Sequence, residues 1–101
     1  MNLEDKIEEI KIYGSLGYSA DQVADALEFP FRSRALLADR LSNPDDVLAM
    51  AYRKGYIISE QKTDMSLAKQ AQTGDIDAIE MQAARSKERK LKALKKNLFG
   101  I

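Results

Sequence analysis

The chain of 101 residues contains no cysteine, no histidine and no tryptophan, with only two prolines and five glycines. Without cysteine, disulfides and thiolate chemistry are excluded. Without histidine, the chain lacks the commonest metal ligand and the side chain that most readily transfers protons near neutral pH. These absences exclude zinc sites, redox motifs and Ser/His or Cys/His nucleophilic pairs. We therefore predict a protein that is not an enzyme and that uses no metal and no cofactor.

Long apolar runs are also missing from the chain. No stretch approaches the roughly 20 residues that a helix needs to span a bilayer. Residues 1–11 are acidic and contain no apolar run of signal-peptide length. We therefore expect a cytoplasmic protein without membrane contact.

Lys, Glu, Ala, Leu, Asp and Gln together make up more than half of the chain, a composition typical of helical proteins. No segment alternates apolar and polar residues between hairpin signals, so no sheet is expected. The sequence predicts an all-α fold in two parts. Residues 1–42 are expected to form a tri-helical helix-turn-helix, and residues 43–101 a helical hairpin of a long helix and a basic C-terminal helix.

Local signals place the ends of these helices. Ser19 and Gln22 match a capping box, and Pro30 must follow the second helix because it disfavours helical geometry at the residue before it. Gly14 and Gly17 bracket a turn after the first helix. The pair Asn43-Pro44 predicts the start of a long helix that extends to about residue 72, with a kink or break between residues 55 and 64. Gly74 then ends this helix, and Asp75 is expected to cap the start of the last one.

The third helix is the candidate recognition helix of the helix-turn-helix. Its spacing predicts a core face of Phe31, Ala35, Leu36, Ala38 and Leu41. Arginine binds guanine in a bidentate way or clamps phosphate, and serine donates to phosphate. The DNA-facing candidates on this helix are Arg32, Ser33, Arg34 and Arg40. Alternatively, these arginines are solvated or pair with acids such as Asp39.

The net charge of zero hides a gradient along the chain. Residues 1–30 carry a net charge of −5, whereas residues 85–101 carry +6. Because each neutralised phosphate adds salt-dependent affinity, the basic end is a second candidate DNA-binding element. Its candidate residues are Arg89, Lys90, Lys92, Lys95 and Lys96. A solvated helix, or an apolar seam of Leu91, Leu94, Leu98 and Phe99 for a partner helix, would explain the same segment.

Two phrases of the sequence resemble a known family. Residues 12–27 read IYGSLGYSADQVADAL and residues 67–80 read LAKQAQTGDIDAIE. The first is similar to the N-terminal helix-turn-helix of terminase small subunits from phages and prophages. The second is similar to a step after the long central helix of the same proteins.

The resemblance implies a DNA-recognition component of phage genome packaging. Such a protein forms a ring of subunits, finds the packaging site on duplex DNA and engages an ATP-driven terminase large subunit, with no catalytic activity of its own. The recognition helix would be residues 31–41, and the later helices would form the homo-oligomer. The residues expected in that oligomerisation region are Ile58, Met65, Ile76, Ile79, Leu91, Leu94 and Leu98.

Two other functions fit the same residues. A small helix-turn-helix transcriptional regulator would bind a palindromic site as a dimer. A helical protein-interaction adaptor would use the three-helix unit only as a scaffold and the seam of the last helix as its working surface.

Overall fold

The computed structural model describes residues 2–100, and the side chain of Phe99, part of the predicted seam, lies outside the described residues. A 3-10 helix, Leu3–Lys6, leads into five α-helices. These are α1 (Ile7–Ser15), α2 (Ala20–Ala26), α3 (Phe31–Ser42), α4 (Val47–Gln72) and α5 (Ile76–Phe99). Residues 2–100 contain no strand. The predicted all-α class is confirmed.

The turn after α1 is closed by a glycine in the left-handed region. Gly17 has φ +73°, a conformation that glycine adopts without steric strain because it has no Cβ atom. The Tyr18 N–H then donates to the Tyr13 carbonyl at 3.0 Å, the backbone pattern of a Schellman motif. The Tyr13 and Tyr18 rings stack with centroids 5.3 Å apart. This turn fixes the direction in which the chain enters α2.

The second helix begins and ends with defined caps. Ser19 accepts from the Gln22 N–H and the Gln22 side chain accepts from the Ser19 N–H, so the predicted capping box is confirmed. At the other end Glu28 adopts φ +55°, and the Phe29 N–H donates to the Ala24 carbonyl at 2.9 Å. This is a second Schellman turn, with glutamate where glycine is usual. It places Phe29 in the core, only 4% exposed.

A first compact unit, Met1–Gln61, is built round one apolar core. Its buried residues are Leu3, Ile10, Val23, Ala24, Phe29, Leu37 and Leu48. The predicted unit of residues 1–42 was too short, because Leu48 of α4 is fully buried in this core and Tyr52 packs against it. The Tyr52 hydroxyl also donates to the Tyr18 carbonyl at 2.6 Å.

The predicted core face of α3 was wrong. Leu37 is the buried residue of this helix, whereas Phe31 is 85% exposed and Leu36 is 49% exposed. Ala35 and Ala38 are also exposed, and only Leu41 of the expected set is half-buried. Since Leu37 follows Leu36 by about 100° round the helix, the helix is rotated by about one residue relative to the prediction.

Two glycines allow α1 and α4 to pack backbone against backbone. A Cβ atom on Gly14 would overlap the main chain of Tyr52, and one on Gly55 would overlap the carbonyl of Lys11. Gly14 therefore belongs to α1 and serves this contact, not the turn. The break expected near Gly55 is absent, since α4 is one helix from Val47 to Gln72.

The start of α4 lies three residues later than the Pro44 start predicted. Asn43 accepts from the Asp45 N–H at 3.1 Å and forms a local turn. Asp46 then accepts from the Leu48 N–H at 2.9 Å and caps the helix.

A second compact unit, Lys62–Ile101, contains the last turns of α4 and all of α5. Gly74, at φ +88°, ends α4, and Asp75 accepts from the Ala78 N–H to begin α5, as predicted. Leu67 and Ala78 are buried between the two helices. Asp64 of α4 pairs with Arg85 at 3.0 Å and with Arg89 at 2.7 Å of α5.

Candidate nucleic-acid interface

The first turn of α3 carries one candidate DNA contact that is open to solvent. Arg32 is exposed and Ser33 is half-buried beside it. Arg32 makes no ion pair with any of the described residues. Its guanidinium is therefore available to a phosphate or a base edge without breaking an internal contact.

Arg34 is held by the neighbouring helix of the same unit. Its guanidinium pairs with the carboxylate of Asp25 on α2. Both side chains are partly exposed, so solvent screens the pair. Arg34 would contact a phosphate only by sharing or leaving Asp25.

Arg40, which was also predicted to face DNA, makes two ion pairs within the first unit. Its Nε donates to Asp46 at 2.9 Å and its second nitrogen donates to Glu4 at 3.0 Å. These bonds tie the end of α3 to the start of α4 and to the N-terminal 3-10 helix. Hydrogen bonding to Asp46 raises the pKa of Arg40. Hydrogen bonding to Arg40, then to the Leu48 N–H, lowers the pKa of Asp46.

The solvent-facing side of α3 is mostly apolar. Phe31, Ala35 and Ala38 follow one another at helical spacing, with Leu36 on their flank. The charged residues on this side, Arg32 and Asp39, are of opposite sign. The surface that would enter a DNA groove is therefore neutral, which is unusual for a recognition helix.

The second half of α5 forms the most basic surface of the described chain. Its exposed cations are Lys87, Arg89, Lys90, Lys92, Lys95 and Lys96. Lys92 pairs with Glu88 at 3.6 Å, one helical turn away, and Arg89 pairs with Asp64. Lys87, Lys90, Lys95 and Lys96 have no ion-pair partner within residues 2–100. They are free to meet a polyanion.

Most of the expected oligomerisation residues are open to solvent. Ile58 is half-buried within the first unit. In the second unit the exposed members are Met65, Ile76, Ile79, Leu91, Leu94 and Leu98. The helical hairpin thus leaves much of its apolar surface uncovered, which is typical of an association surface.

One apolar groove of the first unit was not predicted. It has a volume of about 610 Å³ and is lined by Ile7, Val47, Met50, Ala51, Arg53, Lys54 and Ile57. The sequence did contain a signal for it, because Val47, Met50 and Ile57 recur on one side of α4 while Leu48 and Tyr52 occupy the core side. Arg53, one of the lining residues, donates a hydrogen bond from its guanidinium to the Pro44 carbonyl at 2.8 Å.

The geometry offers no metal centre within the described part of the chain, where no group of three or more acidic side chains could hold an ion. None of its helices is both long enough and apolar enough to cross a membrane. No protein-family model, curated protein or solved structure matches this chain.

Proposed function

We propose that this protein is a DNA-binding component of phage or prophage genome packaging, of the terminase small-subunit kind. It binds duplex DNA, associates with copies of itself, engages a terminase large subunit and catalyses no reaction. The observation that carries the DNA-binding part is the basic second half of α5, with four lysines that have no ion-pair partner among the described residues. The similarity of residues 12–27 and 67–80 to terminase small subunits supports the packaging part.

Lysines arranged in this way bind the phosphate backbone and carry no sequence information. Each phosphate that they neutralise releases counterions, so affinity falls steeply as salt rises. This surface therefore accounts for DNA affinity. Specificity for a DNA sequence has to come from another element, and we propose that α3 supplies it through Arg32 and Ser33.

The contribution of α3 rests on few groups. Arg32 is the proposed contact to a base or a phosphate, and Ser33 donates a hydrogen bond to phosphate. Arg34 contributes when its guanidinium leaves the carboxylate of Asp25 and binds a phosphate. Arg40 is left out of the interface because Glu4 and Asp46 hold it.

The test is a fluorescence-anisotropy titration of duplex DNA at two salt concentrations. Replacing the four unpaired lysines, Lys87, Lys90, Lys95 and Lys96, by glutamine should weaken binding and lower the salt slope by roughly 0.9 for each phosphate that is no longer neutralised. Replacing Lys6 and Lys11 by glutamine changes charge in the acidic N-terminal region and serves as the control. No binding by the unaltered chain at low salt would overturn the proposal.

A second titration examines α3 alone. Arg32→Ala should weaken binding to a specific site more than binding to random duplex, and Asp39→Ala on the same exposed side should not weaken either. If Arg32→Ala weakened binding to the two DNAs equally, Arg32 would contact phosphate and not a base.

A protein-interaction module that works through α3, and not through the seam of the last helix, is the second candidate, favoured by the exposure of Phe31 at 85%. A large apolar side chain beside Ala35 and Leu36 suits a protein groove better than a DNA groove. In that case Phe31→Ser would remove binding to a partner protein, and the DNA titration would show no affinity.

A further inference from the structure

The side of α5 that faces away from α4 carries a continuous apolar stripe. Its members are Ile76, Ile79, Ala83, Leu91, Leu94 and Leu98, and the five large ones are between 46% and 69% exposed. The opposite side of α5 contacts α4 through buried Ala78 and through Arg85, which pairs with Asp64. At about 100° per residue, Leu94 lies about 180° from Arg85. The stripe therefore has no partner among the described residues of the hairpin.

The stripe is almost symmetric about Lys87. Ala83 and Leu91 are each four residues from Lys87, and Ile76 and Leu98 are each eleven residues from it. Ile79 and Leu94 are eight and seven residues away. A second α5 laid antiparallel on the first, with Lys87 at the crossing, would place Ile76 against Leu98 of its copy and Ala83 against Leu91.

The charges of α5 favour the same antiparallel arrangement. Asp77 and Glu80 lie in its first turns, and the lysines lie in its second half. Glu80 and Lys95 are on the same flank of the stripe, and in an antiparallel pair such residues face each other. A parallel pair would instead bring acid against acid and lysine against lysine. The charge pattern thus favours a second copy of α5 in the antiparallel direction.

We infer that α5 is a two-fold association surface, on which a second copy of this chain packs its own α5 antiparallel. The contact extends about 33 Å, from Ile76 to Leu98, at 1.5 Å per residue. Since both partners use the same surface, this contact joins two copies and does not itself build the ring that the resemblance implies. The inference does not rest on DNA binding, and it is tested in the absence of DNA.

The test is sedimentation equilibrium of the full chain over a range of concentrations, with three charge variants. Glu80→Lys and Lys95→Glu each place like charges opposite one another twice per dimer, so each should raise the dimer Kd about 10-fold. The double variant restores opposite charges across the interface and should return to within about 3-fold of the original Kd. Circular dichroism checks that each variant keeps its helix content.

A gain of affinity supplies an independent readout. Lys87→Leu removes the two like charges that meet at the crossing and fills the stripe, so the dimer should tighten about 10-fold. Lys96→Leu makes the same change on the far side of the same helix, about 180° away, and should leave the Kd unaltered.

Three outcomes overturn the inference. The first is a chain that stays monomeric at every soluble concentration. The second is single charge variants that associate as well as the original chain. The third is a double variant that is not restored, because that result excludes the antiparallel direction. Loss of DNA affinity alone would leave the inference standing.

Discussion

Gly55 of α4 packs directly against the carbonyl of Lys11 of α1, and the reverse contact joins Gly14 to the main chain of Tyr52. The two glycines lie on opposite helices and act on the same crossing. Removing both Cβ atoms brings the helix backbones closer than any other pair of residues would permit. The position of α4 on the three-helix core depends on this approach.

Gly55→Ala should destabilise the first unit by about 3 kcal/mol or more, because the added methyl group meets backbone that cannot move aside. Helix propensity alone gives the opposite sign, a gain of about 1 kcal/mol. Urea unfolding followed by circular dichroism measures the difference. Ser66→Ala, at an exposed position of the same helix, is the control and should stay within about 0.5 kcal/mol. A stabilised Gly55→Ala variant would contradict the close helix crossing.

Glu28→Gly should stabilise the turn between α2 and α3 by about 1 kcal/mol, because Glu28 holds φ +55°, where a residue with a Cβ atom is strained and glycine is not. Alanine at the same position keeps the strain, so Glu28→Ala should give no comparable gain. Thermal unfolding of the two variants against the original chain decides the matter. Equal melting temperatures for the glycine and alanine variants would remove strain as the explanation.

Truncation to alanine should lower the stability of the fold at Leu37 but hardly at Phe31. Leu37→Ala should cost about 2–5 kcal/mol, because the residue is fully buried. Phe31→Ala should change stability by less than about 0.5 kcal/mol, because its ring is exposed. Chemical unfolding of both variants checks the rotation of α3 about its axis. A large destabilisation by Phe31→Ala would restore the core face predicted from the sequence.

The sequence predicted what depends on neighbouring residues and missed what depends on distant ones. The caps at Ser19 and Asp75 and the glycine at position 74 could be read locally, because each uses backbone groups within a few residues. The rotation of α3 could not, since Leu36 and Leu37 are both apolar and give two faces about 100° apart. Only packing within the core of the first unit selects Leu37.

In the candidate site, too, local features could be predicted from the sequence, whereas contacts between elements could not. Lysines near the C-terminal end of α5, predicted to bind DNA, are exposed in the structure, as a run of cations has few alternatives to solvent. The ion pairs of Arg40 were not predicted, because its partners, Glu4 and Asp46, lie on other elements. Asp46 is only six residues from Arg40, but it lies beyond the end of α3, and Glu4 is 36 residues away, so helical spacing contains no signal for either pair.

Stability should fall in acid through the carboxylates that pair with arginine. Hydrogen bonds from Arg40 lower the pKa of Asp46, and those from Arg85 lower the pKa of Asp64, below the ordinary value of 3.8. Between the folded and the ordinary pKa the unfolded chain binds more protons, so this stabilisation is complete well above pH 3.8 and disappears as the pH falls through the folded pKa. Urea midpoints measured from neutral pH down to below the ordinary aspartate pKa follow this decline.

Asp46→Asn should lower the urea midpoint at neutral pH and flatten its pH dependence, because the amide has no charge to lose. Asp45→Asn changes the exposed neighbour, which makes no ion pair within the described residues, and should follow the original curve. If the two variants gave the same profile, the contact between Asp46 and Arg40 would not be the source of the acid sensitivity.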